Sequence, residues 1–396
     1  LIVRFSGWSF SEHREEHMSF NPAEPLVADA VFEGGGVKGI GLVGALSYCE
    51  DQGYKWKNVA GTSAGAITAA LVACGYTAAE IKAELDRFMR EADSDGCIGY
   101  ERFKDKSLVD RIPALGPALS LGFEKGIYEG DFFEGWLRSL LAKKKTRTFG
   151  DLINPEHADK PKTHPSRYTL RVIASDLTRR RILILPQDIV DFELEGGDPD
   201  RLDIARAVRM SMSIPFFFEP VEMTCKDEKF PRTDDELRRE QVSGARIQFS
   251  AKQRRCFIID GGVLSNFPVN LFDAPSTRAP RWPTFGFKLV APNDNRPSRI
   301  NGPLSLFGAL FATMMEAHDQ RHMDEGAEVR TVRIKTESVK TTDFGLSAAE
   351  SEALYRRGKK GAEEFFVRWR ALGGFDGYVR KYRKPKVTGE LSASGG

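Results

Sequence analysis

The chain has 396 residues, 41% of them hydrophobic and 29% charged, with a formal net charge of +2. That length is ample for a buried core, in one large α/β domain or in two smaller ones, and the near-neutral balance speaks against nucleic acid as the main partner. Cys49, Cys74, Cys97, Cys225 and Cys256 are scattered without a C-x-x-C pair, which reads as a reduced chain with buried thiols, free of a disulfide framework or a zinc ribbon.

Residues 1–27 read as an N-terminal extension. Residues 1–20 lack the continuous apolar core of a leader, and no apolar run reaches the roughly 18–20 residues of a membrane span, so a cytoplasmic chain is expected. A proline-bounded loop at Pro22–Pro25 leads into a strand, Leu26 to Phe32. The loop Gly34-Gly35-Gly36-Val37-Lys38-Gly39 follows, then a helix from Ile40 to a stop at Gly53. Trp56 to Ala60 is the next strand, Gly61-Thr62-Ser63-Ala64-Gly65 a tight turn, and Ala66 to Cys74 an apolar helix. Thr77 and Glu80 form a capping box for a helix reaching about Ala92.

Residues 93–130 are loop-rich. Asp131 to Ala142 is an amphipathic helix, and Tyr168 to Ala174 and Arg181 to Leu185 are neighbouring strands. Leu202 to Met210 is a helix halted by Pro215. Arg255 to Ile259 is a strand ending at Asp260. Thr284 to Val290 and Val329 to Ile334 are strands, and Ala348 to Leu372 is a long amphipathic helix. This rhythm predicts a three-layer α/β sandwich, with a central, mostly parallel sheet and helices on both faces. One domain spans 28–372. A charged insertion at 226–255 reads as a flap over the site or as an exposed hairpin, and 373–396 as a basic, Ser/Gly-rich mobile tail.

A serine hydroxyl needs exposure on a tight turn, a base for its proton, and donors for the oxyanion formed on attack. The G-x-S-x-G pattern around Ser63, with Gly61 and Gly65, meets the first need as a strand-to-helix elbow. Bare N–H groups in the Gly34–Gly39 loop suit the third, and Lys38 adds positive charge. The same loop fits a dinucleotide fingerprint. That reading wants an acidic residue where Gly61-Thr62-Ser63 stands.

The base is the harder assignment. His13, His17, His157, His164, His318 and His322 are the six histidines. None follows an apolar strand on a short turn, where a triad histidine is expected. Asp260 does, followed by Gly261 and Gly262, and Asp176 competes without the glycines. An ordinary aspartate, with a pKa of about 3.9, is a weak base. A Ser–Asp pair therefore relies on a desolvated site and strong oxyanion donors.

These segments resemble the bacterial patatin-like phospholipases. The resemblance rests on Gly34–Gly39, Gly61–Gly65, Ala174-Ser175-Asp176-Leu177, Ser211-Met212-Ser213-Ile214-Pro215, Asp260-Gly261-Gly262 with Asn266-Phe267-Pro268, Thr341-Thr342-Asp343-Phe344 and the final long helix. It spans about residues 28–370. It implies a lipid acyl hydrolase with Ser63 as nucleophile, Asp260 as base, the Gly34–Gly39 loop as oxyanion hole and no required metal or cofactor. The expected partner is a phospholipid, lysophospholipid or other fatty-acyl ester, met by peripheral membrane contact. The competing class is a lipid-binding or regulatory protein on the same fold with little hydrolysis.

Several segments carry plain structural readings. His318 and His322 have metal-ligand spacing without a third ligand, so a surface or packing role is expected. Leu304 to Met315 reads as core or as a wall of an acyl pocket, and Phe216-Phe217-Phe218 is similar. The basic clusters 143–145, 179–181 and 380–386 read as solvated loops or as contacts to anionic headgroups.

Overall fold

The computed structural model describes residues 26–91, 99, 102, 130–215, 217–275, 278–291, 300, 302, 306, 309–310, 313–314, 323–337, 339, 341 and 345–383. His13, His17, Cys97, His318, His322, Phe216 and most of the basic tail lie outside them.

Eight strands form one sheet: β1 (Leu26–Phe32), β2 (Tyr54–Thr62), β3 (Leu170–Asp176), β4 (Arg181–Leu185), β5 (Val221–Thr224), β6 (Arg255–Asp260), β7 (Thr284–Val290) and β8 (Thr331–Lys335). The α-helices among the described residues are α1 (Ile40–Asp51), α2 (Ala64–Ala73), α3 (Ala78–Arg90), α4 (Asp131–Lys143), α5 (Ile204–Ser211), α6 (Asp234–Ser243), α7 (Glu325–Val329), α8 (Ala348–Ala371) and α9 (Gly374–Tyr382). Strands β8, β7, β1, β2 and β3 run parallel, and β4 and β6 join β3 antiparallel. The parallel strands read as apolar runs because both faces are covered.

Register assigns the faces. Phe32, Gly61, Val172 and Phe287 share one face, where the main core meets Leu42, Ala66, Ala69, Leu354 and Phe365 of α1, α2 and α8. Thr62 and Ile173 point to the other face. There Phe267, Val269 and Ala327 form a second small cluster beside Met323.

Strand β3 has a feature that sets up the site. One edge pairs with β4 over Val172–Asp176. The opposite edge is shared: β2 occupies Leu170 to Ile173, and β6, running the other way, occupies Ala174 to Asp176. The C-terminal ends of β2 and β6 therefore meet head-on, Thr62 opposite Ile173 and Asp260 opposite Ala174.

Several expectations are corrected. The 226–255 segment joins β5 to β6 at Thr224–Arg255, about 17 Å along the strand from Asp260, so it leaves away from the Ser63 end of the sheet. It folds on itself: Arg232 pairs with Asp227 (2.9 Å) and Glu240 (3.0 Å), and α6 carries its own Thr233/Glu236 capping box. The start of the presumed tail is helix α9, with Tyr378 buried near Trp369. Leu306, Leu310 and Met314 are exposed, not core, whereas Phe218 is buried. Lys143 and Lys144 pair with Glu84 and Glu80, and Arg179 is buried between Asp176 and Asp191. These basic residues are neutralised within the protein. Among the described residues no helix is long and apolar enough to cross a membrane.

Candidate active site

Ser63 stands between β2 and α2 with φ 52° and ψ −126°, a left-handed conformation uncommon for a residue with a side chain. Its hydroxyl does not cap α2. Gly65 is needed for close approach: a Cβ there would collide with the carbonyl oxygens of Phe32 and Glu33, which end β1. Gly61 lies against the Gly65 carbonyl in the same way. The elbow is thus wedged between the ends of two strands.

Asp260 is buried at the end of β6. Its Oδ1 accepts a hydrogen bond from Gly262 N–H (2.7 Å), and Gly261 packs on the Ile173 carbonyl. Its Oδ2 has no hydrogen-bond partner among the described residues. Burial pushes the carboxyl up to about 7, with the neighbouring Ser63 hydroxyl and the Gly262 N–H pulling it part of the way back. Asp176 sits two residues further along β3, fully buried, its Oδ2 2.6 Å from Arg179. It is committed to an ion pair. His157 and His164 lie in the loop leading to the other end of β3.

The Ser211–Pro215 segment brackets both residues. Ser211 Oγ accepts from Ser63 N–H (2.8 Å) and donates to the Ile173 carbonyl (2.5 Å), filling the gap where the β2–β3 ladder stops. The Ser213 carbonyl accepts from Asp260 N–H (2.9 Å). Sequence reasoning quoted this box without its task, because the task exists only once β2 and β6 abut. Ser211→Ala is expected to orphan the Ser63 N–H and the Ile173 carbonyl. Thermal unfolding should show a loss of about 1–3 kcal/mol. On a short ester kcat should fall roughly tenfold to a hundredfold with KM little changed.

The glycine loop opens with Gly34, which donates to the Asn266 carbonyl (3.3 Å). Val37 N–H donates to Thr341 and Lys38 N–H to Gly35. The N–H groups of Gly35 and Gly36 have no acceptor among the described residues. Gly36 has φ +55°, and a Cβ there would strike the Thr341 carbonyl. Gly39 lies at the start of α1 against Ala64.

Sequence reading missed what holds this loop. Glu33, buried at the end of β1, accepts from Leu289 N–H and lies 3.3 Å from Lys288 Nζ. Asn266 Nδ2 donates to Glu33 (3.4 Å) and to the Gly34 carbonyl (3.3 Å). These two acceptors fix the amide orientation, and Oδ1 lies against Gly34: a Cβ on Gly34 would strike Asn266 Oδ1 and lie 3.1 Å from Ser63 Cβ. A glutamate directly after the strand, ahead of three consecutive glycines, was the available signal.

A mostly parallel sheet places the Ser63 elbow and the Asp-Gly-Gly turn at the abutting ends of β2 and β6, in an α/β fold. The chain belongs to the patatin-like phospholipase family, whose family model matches residues 30–273. It is 37% identical over 345 residues to the protein YqhO of Bacillus subtilis (strain 168), covering 87% of this chain and 99% of that one. It is 24% identical over 338 residues to the RpoH suppressor of Rhizobium meliloti (strain 1021), covering 61% of this chain and 53% of that protein. Among solved structures it is similar to VipD of Legionella pneumophila, with 17% identity, a TM-score of 0.43 and coverage of 87% of this chain and 67% of that one. It is also similar to ExoU of Pseudomonas aeruginosa in its complex with SpcU, with 17% identity, a TM-score of 0.39 and coverage of 88% and 52%.

Proposed function

We propose that the protein hydrolyses fatty-acyl esters, phospholipids and lysophospholipids among them, through an acyl-enzyme on Ser63 with Asp260 as base. The observation that carries this is the juxtaposition of the Ser63 elbow with a buried carboxylate whose Oδ2 has no hydrogen-bond partner among the described residues. Asp260 takes the Ser63 proton as Oγ attacks the ester carbonyl carbon. The oxyanion meets the N–H groups of Gly35 and Gly36, each worth about 2.7–4 kcal/mol in comparable sites. Collapse expels the alcohol, which takes its proton from Asp260. Water then gives a proton to Asp260 and attacks the acyl carbon. The fatty acid leaves and the proton returns to Ser63.

A carboxyl at about 7, not at its ordinary 3.8, makes the first proton transfer easier by roughly 4 kcal/mol. The base must be ionised, so kcat/KM on a short chromogenic ester is expected to rise about tenfold per pH unit on the acid side and level off above about pH 7. A flat profile between about pH 5 and 9 would place the base elsewhere.

A further inference from the structure

Arg209 lies on α5, two residues before Ser211, and only 3% of it is exposed. A guanidinium stays charged at every working pH, so a buried one needs well-placed acceptors. Its Nη1 donates to Ser213 Oγ (2.6 Å) and its Nη2 to the Glu219 carbonyl (3.0 Å). Ser213 Oγ donates in turn to the Arg209 carbonyl (3.0 Å). The guanidinium carbon stands 5.4 Å from the centre of the Phe218 ring, and a Cβ on Gly130, the residue before α4, would collide with the same side chain. Arg209 therefore folds back over the C-terminal end of its own helix and grips the following loop at two points, Ser213 and Glu219.

That loop holds the end of β6. Strand β5 flanks β6 only as far as Ile258, two residues short of Asp260. There the Ser213 carbonyl takes over, accepting from Asp260 N–H (2.9 Å). Toward β3, Asp260 has the last rung of the pairing, opposite Ala174. Ser211, at the end of the same helix, accepts from Ser63 N–H (2.8 Å). One short segment thus anchors the backbone of both residues, and the Arg209 side chain fixes its shape.

We propose that Arg209 is a positioning residue for the Ser63–Asp260 pair: it fastens the Ser213 side chain, and through the Ser213 carbonyl it holds Asp260 within reach of the Ser63 hydroxyl. The proposal rests on reading the two as nucleophile and base. Arg209→Met keeps most of the bulk and loses the donors. On a short chromogenic ester its kcat should fall about tenfold to a hundredfold with KM within about twofold, because the base is displaced while the ester still binds. Arg209→Lys keeps the charge without the planar two-point grip and should fall likewise, which covers a failure of Arg209→Met to fold. Ser213→Ala removes the shared hydroxyl, so the Arg209→Met/Ser213→Ala double variant should be little slower than the slower single variant. A near-parental kcat in a folded Arg209 variant, or losses that multiply in the double variant, overturns the proposal.

Amide hydrogen exchange supplies an arm that needs no turnover. Asp260 N–H should exchange at least about tenfold faster in Arg209→Met, while Val172 N–H in the middle of the sheet keeps its parental rate. Equal protection of Asp260 N–H in the two proteins overturns the proposal. Faster exchange at Asp260 in a chain whose parent never hydrolyses esters would sustain the anchor and retire the hydrolase reading.

Discussion

Ser63→Ala is expected to lower kcat for ester hydrolysis by about 10⁴-fold or more, because the acyl group then has no covalent carrier. The same change should abolish labelling by a fluorophosphonate probe. Labelling that survives in Ser63→Ala would identify another nucleophile and sink the assignment. Stability supplies an independent check. With φ at 52° and ψ at −126°, Ser63 holds a conformation that costs a residue with a Cβ about 1–3 kcal/mol. Ser63→Ala keeps that Cβ and should unfold close to the parent. Ser63→Gly is equally inactive but relieves the strain, so it should melt at a higher temperature than Ser63→Ala. A serine kept where glycine is more stable is the mark of a position chosen for its hydroxyl. Equal melting temperatures for the two variants would remove that argument.

Some of the site is legible in sequence for a local reason. Glycines around Ser63 and after Asp260 mark turns that follow apolar strands, and local turn chemistry survives without knowledge of the fold. The meeting of the two residues is not local. It depends on β6 entering antiparallel along the same edge of β3 that β2 has just vacated, and β5, the short partner that makes β6 half of a hairpin, has too few residues to show an alternating pattern. The same distance in sequence hides Ser211, which bonds to Ser63 across 148 residues, and Asn266, which reaches Glu33 across 233. The 226–255 segment misleads for the opposite reason. Its charge suggests a solvated flap, yet Arg232 gathers the carboxylates of Asp227 and Glu240 and stacks on Phe249, so the charges are the internal ties of a small lobe. Asp176 is the instructive competitor: composition cannot distinguish an aspartate ending a strand in an ion pair with Arg179 from one that has no ion pair among the described residues.

That distinction yields the prediction with the sharpest sign. Asp260→Asn keeps the shape and an oxygen for the Gly262 N–H but cannot take the Ser63 proton, so kcat should fall by about 10²–10⁴-fold. Stability should move the other way. Burial raises the folded-state pKa from 3.8 to about 7. Below pH 3.8 the carboxyl is protonated in both folded and unfolded chains, and its charge costs nothing. Between that pH and about 7 the folded protein holds a proton that the unfolded chain has released, so stability falls as pH rises. Above about 7 the full penalty, a few kcal/mol, is present. Asparagine carries no such penalty. The melting temperature of Asp260→Asn should therefore exceed the parent's at about pH 8, with the gap closing toward about pH 4. Asp176→Asn should do the reverse, leaving Arg179 buried with one carboxylate partner fewer and costing as much as about 3–5 kcal/mol. A parent more stable than Asp260→Asn at alkaline pH would mean that a cation neutralises Asp260. The carboxylate would then be a structural ion like Asp176, and a different base would have to serve Ser63.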